Sequence, residues 1–270
     1  MIIQYNKQHI ESKMMKNEKY KIDYNDSIVI RDHKLYREHK LYRIISLVNT
    51  AFVSKGDKGG YIEKESNLSQ EGNAWVGDNA WVFGDAYVFG DACVSGNAQV
   101  FDVAKVCMDA RVYGHAQVYE NARVCGNACV FGSSKIFNYA RVYGESKVDE
   151  NTKIYGNAQV YGNAQIYGNA QLYGYVKVNG NAKVSDCANI YRNEDYFCVQ
   201  SFGYVGRTTT FFKTNEGWLV NCGCFNGTVD QFRRAIVKTH GNSLIAKEYL
   251  MIADLAELRI DRSEKIYQDK

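Results

Sequence analysis

Proline does not occur once in the 270 residues. A parallel backbone ladder disfavours proline, which has no N–H to donate, so the absence agrees with a chain built largely of such ladders. Long apolar runs are missing as well. None reaches the length of a membrane-spanning segment, and no membrane partner is expected. The stretch from Met1 to Tyr20 is polar and lysine-rich, without the apolar core of a secretory signal. The eight cysteines are therefore expected to be free thiols in a reducing cytoplasm. No segment holds a strong excess of one charge. Basic and acidic residues number 13 and 10 over 1–74, 10 and 11 over 75–194, and 10 and 9 over 195–270. That balance excludes the broad basic surface of a typical nucleic-acid-binding domain. No phosphate-binding loop, dinucleotide fingerprint or Ser-His-Asp context is present, and no cofactor is expected.

What is present is one hexad, x-[VIL]-[FY]-G-[ND]-A, clearest over 153–171. It runs from Trp75 to Glu194 without insertion or deletion, which makes 20 hexads in 120 residues. The second position is Val, Ile or Leu in all 20, and the sixth is Ala in 15. The exceptions at the sixth position are Ser134, Ser146, Thr152, Val176 and Glu194. A period of six fits neither a 3.6-residue helix nor an indefinitely alternating strand. It fits a short strand with one inward side chain, followed by a corner. Gly-Asn and Gly-Asp supply the corner because they tolerate positive φ. Three hexads make an 18-residue triangular coil, and coils stacked about 4.8 Å apart give a prism on the order of 30 Å long.

These hexads, with the lead-in from Lys55 to Ala74, resemble the hexapeptide-repeat, left-handed β-helix superfamily. Its best-known members are trimeric acyltransferases. Others are uncharacterised bacterial and phage-borne repeat proteins, to whose lead-in segment residues 55–74 are similar. The resemblance implies a left-handed coil, a hand that the period alone does not show and that ordinary crossover rules would oppose. It also makes a host-directed role an expectation, for example inhibition of a defence nuclease. The fold class expected is an all-β solenoid, a left-handed parallel β-helix over 75–194, with an N-terminal β cap over 20–74 and a small C-terminal α+β module over 195–262. Residues 1–19 are expected as a mobile arm and 263–270 as a tail.

In the cap, the tandem pentamers His33–Arg37 and His39–Arg43 read as a β-hairpin that covers the open edge of the first coil. In the module, strands are expected over 196–202, 208–212 and 218–225, with a turn over 213–217. Thr228 and Gln231 form a capping-box signature for a helix over 229–239 ending at Gly241. A second helix is expected over 244–258, with a frayed end from Arg259 onward.

Sorting the outward third positions by coil gives three columns. One is aromatic throughout: Phe83, Phe101, Tyr119, Phe137, Tyr155, Tyr173 and Tyr191. Stacked aromatics stabilise one another, yet a strip of this size is expected to be covered by a protein partner, a second copy or the C-terminal helices. The first positions of the next face carry Lys105, Arg123, Arg141 and Lys177, interrupted by Gln159. Such a ladder could follow a phosphate backbone or an acidic protein. Cys107 and Cys125, one coil apart, fall within disulfide range but are expected reduced.

Three further groups bear on chemistry. His115, the only histidine of the coils, occupies a corner; the resemblance to the acyltransferases would make it a general base, although the loops that help wall their sites have no counterpart here. Cys222 and Cys224 with His240, and Cys198 as a distant fourth, form a weak zinc candidate, against buried free thiols as the plain reading. Arg207 to Thr210 reads as a β-strand rather than an anion site. The leading expectation is a non-enzymatic scaffold that binds a protein partner, or copies of itself, through the solenoid faces and the terminal module. The alternatives are a trimeric acyltransferase using His115 and nucleic-acid binding along the basic ladder.

Overall fold

The three-dimensional structure is a computed structural model, described here over residues 18–32, 37–50, 52–203 and 206–268. The expected arm up to residue 17 and the His33–Tyr36 part of the first pentamer lie outside these residues.

Each hexad forms one two-residue strand. These are β4 (Trp75–Val76) through β23 (Asn189–Ile190), following β1 (Tyr20–Asp32), β2 (Arg37–Ser46) and β3 (Lys58–Ile62). Every third coil strand joins the same parallel sheet, so three sheets build a parallel solenoid of about seven turns. Partners in register are 18 residues apart, as in Gln99 with Gln117 and Arg123 with Arg141. The second-position aliphatics and the sixth-position alanines face inward and form one continuous core, fully buried from Val76 to Ile190. A Val withdrawn in this way contributes about 1.5–3 kcal/mol over an exposed one, and each coil supplies three such side chains. Ser134, Ser146 and Thr152 replace alanine at no cost in unpaired groups. Their hydroxyls donate to the carbonyls of Phe131, Tyr143 and Asp149, three residues back, at 2.6–2.9 Å.

The corners require positive φ. Glycine holds most of them, because a Cβ at a corner such as Gly156 would lie 2.9 Å from the nitrogen of Gly174 in the next coil. At four of the seven non-glycine corners, Met108, Glu150 and Asp186 being the others, a side-chain acceptor offsets the strain. Asp78 accepts the N–H of Gly96 at 2.8 Å, Asp102 that of Glu120 at 3.0 Å, Glu120 that of Asn138 at 3.0 Å, and Asn138 that of Gly156 at 3.2 Å. A left-handed non-glycine costs roughly 1–2 kcal/mol, and a bond to a charged acceptor returns about 1.5–3 kcal/mol.

An open solenoid end exposes backbone polar groups, and both ends are closed by side chains that imitate a missing coil. The first coil is longer than the rest. Tyr61 pairs with Trp81 and Leu68 with Val88, both 20 residues apart, whereas Trp75 and Cys93 are 18 apart. The two extra residues therefore lie in the corner between Leu68 and Trp75. Asn67, fully buried, ends a 3-10 turn in which its own N–H bonds to Lys64. Its side-chain amide instead reaches the carbonyls of Gly84 (3.0 Å) and Ala86 (2.9 Å). The buried ammonium of Lys19 donates to Ala74 O at 2.7 Å. The β1–β2 hairpin continues this edge through β3 into the sheet of β5 (Trp81–Val82).

At the far end the last coil leaves both an N–H and a C=O open at each strand start. Lys177 N donates to Asn193 Oδ1 (2.8 Å) and Lys177 O accepts from Tyr196 Oη (2.6 Å). Lys183 N donates to Thr210 Oγ1 (3.0 Å) and Lys183 O accepts from Asn221 Nδ2 (3.1 Å). Asn193 lies in a 3-10 turn, and the other three caps belong to an antiparallel sheet in the order β24 (Tyr196–Phe202), β25 (Arg207–Thr214), β26 (Gly217–Cys222) and β27 (Phe225–Thr228). Two helices follow, α1 (Val229–His240) and α2 (Leu244–Gln268). Thr228 and Gln231 form the capping box at 3.2 and 2.9 Å, and Gly241 ends α1 at φ 57°.

Three expectations are corrected. The strand expected over 218–225 breaks into β26 and β27, because Gly223 adopts φ 62° and turns the chain. The second helix does not fray at Arg259. It runs to Gln268, since no proline or glycine stops it, while Arg259 lies over the Phe197 ring at 4.8 Å and Ile260 packs on the module core. Cys107 and Cys125 are paired as a disulfide rather than free, their Cα atoms held 4.8 Å apart by the coil register.

Candidate functional site: the aromatic face and its neighbours

The aromatic column forms as its spacing dictates. From Phe83 to Tyr173 each ring stacks on the next at 4.9–5.0 Å with planes within 5°, and only Tyr191 tilts, by 35°. Stacking half-buries each ring against its neighbours. Burial pushes the phenols of Tyr119, Tyr155 and Tyr173 above their ordinary range, aided at Tyr119 by the carboxylates of Glu120 and Asp102. These hydroxyls stay protonated, and able to donate, at neutral pH.

The chain's own cover on this column comes from an unexpected direction. The N-terminal hairpin reaches its first rings: Phe83, 7 % exposed, clusters with Leu41 and Tyr61, and His39 lies 5.1 Å from it. Ile28, Ile30 and Phe101 pack at the same cluster. The C-terminal helices pack instead on their own sheet, around Phe211, Phe232 and Tyr249. Among the described residues, Phe137, Tyr155 and Tyr173 join neither cluster. Beside the column on the same sheet stand Gln117, Lys135, Lys153 and Gln171 in parallel register.

The basic ladder is likewise in register, with Lys105 against Arg123 and Arg123 against Arg141. All four cations are exposed, and among the described residues none is in an ion pair. Once the coils are aligned, a wider pattern emerges. Nine of the 20 first positions are Lys or Arg and none is Asp or Glu, whereas acids gather at corners such as Asp85, Asp102, Glu120 and Glu145. Like charges about 5 Å apart in water repel by roughly 1 kcal/mol before screening. The solenoid core outweighs that easily, so the ladder needs no ligand in order to exist.

His115 is exposed at a corner, its backbone N–H bonded to Gly132 O at 2.8 Å and its ring outside every cavity described here. Cys222, Cys224 and His240 do line one cavity of about 340 Å3 with Arg207, Phe232 and Tyr249. The turn at Gly223 nevertheless separates the thiols: Cys222 is buried with Thr209 Oγ1 at 3.2 Å, while Cys224 is exposed. Among the described residues no three His, Cys, Asp or Glu side chains converge as a metal site. Arg207 to Thr210 form part of β25.

A larger groove, about 690 Å3, was not foreseen. It lies between the last corner and the module, lined by Asp186, Glu216, Asp230, Glu257 and Trp218, whose buried indole N–H has no hydrogen-bond partner among the described residues. It is assembled from residues up to 74 positions apart, which no local motif announces. No helix among the described residues is long and apolar enough to cross a membrane. Compared with known proteins, the chain matches no family model and no curated sequence.

Proposed function

We propose that the protein is a non-enzymatic scaffold of the hexapeptide-repeat, left-handed β-helix type, and that it binds a protein partner along the aromatic face. The observation that carries this reading is the contrast within one column. Phe83 is covered by the chain's own hairpin, while Phe137, Tyr155 and Tyr173 repeat the same side-chain type at the same spacing without such cover among the described residues. Half-buried aromatics give rigid contact area at low entropic cost, and Lys135 and Lys153 beside them favour an acidic partner surface. A cytoplasmic, host-directed role of the kind the phage-borne resemblance implies, such as blocking a defence nuclease, is consistent with a rigid face of this sort.

The test is affinity capture from the native host, followed by titration of the purified captured protein. Tyr119→Lys with Tyr155→Lys should weaken binding by at least about tenfold in a chain that keeps the wild-type circular dichroism, as two central contacts are lost. Equal affinity for the double variant rejects the face as the binding surface. Nucleic-acid binding along Lys105, Arg123, Arg141 and Lys177 is the second reading, favoured by the absence of ion pairs on the ladder. A mobility-shift series at rising salt rejects it if no salt-dependent complex forms. His115 as the base of a trimeric acyltransferase is the third reading, tested by His115→Ala together with acyl-CoA binding by calorimetry; no binding and unchanged behaviour reject it.

A further inference from the structure

Helix α2 has two apolar faces, and the fold uses one of them. Ala246, Tyr249, Ile252, Ala253 and Ala256 are buried in the module core. On the other side Leu244, Met251, Leu255 and Leu258 stand out, with exposures from 47 % at Leu255 to 77 % at Leu244. Add Glu248 and Arg262, both exposed, and the six residues follow one another at steps of 4, 3, 4, 3 and 4. Those are successive a and d positions of a heptad, the spacing of a helix that pairs with another helix. An amphipathic helix already docked on its own domain does not need this second stripe.

We propose that the stripe is a self-association surface, on which α2 pairs antiparallel with α2 of a second copy about a two-fold axis level with Ala253. The charge pattern selects both the occupant and the direction. In a parallel pair, Glu248 would face Glu248 and Arg262 would face Arg262 across an apolar contact, like charge against like. In an antiparallel pair, a positions face d positions. Met251 then meets Leu255 twice at the centre, Leu258 meets the stem of Glu248, and Leu244 meets the stem of Arg262; both long side chains lay methylenes over a leucine and keep their charge at the rim. Beside the contact, Lys247 of each copy comes opposite Asp261 of the other, giving two pairs of opposite sign. Asp254 faces its own copy across the axis, but Arg233 already holds it at 2.7 Å and Arg233 also binds Glu257 at 2.8 Å. A stripe that complements its own reversed copy in apolar and charged positions alike is what an isologous two-fold contact requires.

Sedimentation equilibrium of the full chain tests this, because every residue concerned is exposed and its replacement leaves the fold intact. The wild type should run as two copies of 30.7 kDa at tens of micromolar. Met251→Lys should raise the dimer Kd at least about thirty-fold, as loss of a central anchor does. Lys247→Asp and Asp261→Lys should each weaken the dimer by roughly three- to tenfold, and the two reversals together should restore it. A wild type that stays at 30.7 kDa up to 100 µM overturns the proposal, as does a dimer indifferent to Met251→Lys. Reversals that fail to rescue each other overturn the antiparallel pairing.

Discussion

Replacing Asn67 by alanine should open the first coil selectively. The amide donates to Gly84 O at 3.0 Å and Ala86 O at 2.9 Å, and its oxygen accepts Lys64 N at 2.9 Å. In the regular coils, a first-position N–H reaches the carbonyl 17 residues on, as Tyr87 N does to Ala104 O. At Asn67 the 3-10 turn has consumed that N–H, so the side chain stands in for it. Alanine leaves Ala86 O buried and unpaired, at about 1–3 kcal/mol, and removes two part-buried bonds at about 1 kcal/mol each. The sum, about 3–5 kcal/mol, corresponds to roughly two to three and a half decades in the opening equilibrium at 1.36 kcal/mol per decade.

A solenoid need not melt in one step, so the assay is hydrogen exchange followed peptide by peptide. Amides of Trp81 to Val88 should exchange two to three orders of magnitude faster, while those of Lys147 to Leu172 keep wild-type rates. Asn67→Asp keeps the acceptor but turns a carboxylate on two carbonyls, and should be worse than alanine. Asn151→Ala, which removes only an exposed 3.3 Å contact with Asn169, should stay within about 0.5 kcal/mol. If Asn67→Ala leaves exchange at Trp81 to Val88 unchanged, the end is not held by this amide and the capping argument fails.

Other expectations follow from the same contacts. Burial holds the Lys19 ammonium down at about 8 against an ordinary 10.5, so its cost is complete below pH 8 and is relieved as pH rises from 8 to 10.5, where only the unfolded chain keeps the proton. Burial pushes the Tyr196 phenol up to about 12, and Tyr20 is raised for the same first cause, so their stabilisation is complete below pH 10 and is lost as pH climbs beyond it. Denaturant titrations across pH should therefore show stability rising from pH 8 to a maximum near 10 and then falling; Tyr196→Phe should flatten the fall by about 2–3 kcal/mol, and an unchanged fall would contradict the assignment. Thiol titration of the unfolded, unreduced chain should find six reactive cysteines, with Cys107 and Cys125 appearing only after reduction; eight at the outset would show the pair to be open. Asn221→Leu removes donors to Lys183 O and Ser185 Oγ, and should speed exchange in the last coil while leaving the middle coils unaffected.

How far the chain could be read in advance depended on whether a feature repeats. An aliphatic at the second position of every hexad and an 18-residue register are translational facts, and the strand pairs from Trp75 to Ile190 obey them throughout. The aromatic column could be seen for the same reason. The ends do not repeat. Nothing in the spacing of Leu68 and Trp75 announces that the first coil has two extra residues, and Asn67 looks like any other asparagine until its missing partners are located. The thiols of Cys222 and Cys224 were placed on one strand because a glycine between them is compatible with either strand or turn; only the pairing of β26 with β27 decides. The outer stripe of α2 was visible as a wide apolar arc, but the helix had to continue past Arg259 for Asp261 and Arg262 to join it.

The two end caps are anchored at opposite ends of the prism, and this sets how the molecule can change length. Duplicating 18 residues in the middle would add one storey of about 4.8 Å and leave both ends facing as before, with every inward aliphatic still over an aliphatic. Adding a single hexad would also leave no core residue misplaced, but it would swing the C-terminal module through one third of a turn about the prism axis and carry the later aromatics onto the next face. Reach and facing are thus set independently, the first by whole coils and the second by thirds of a coil. A partner that grips the straight run from Tyr119 to Tyr173 would tolerate growth of the prism only in multiples of eighteen.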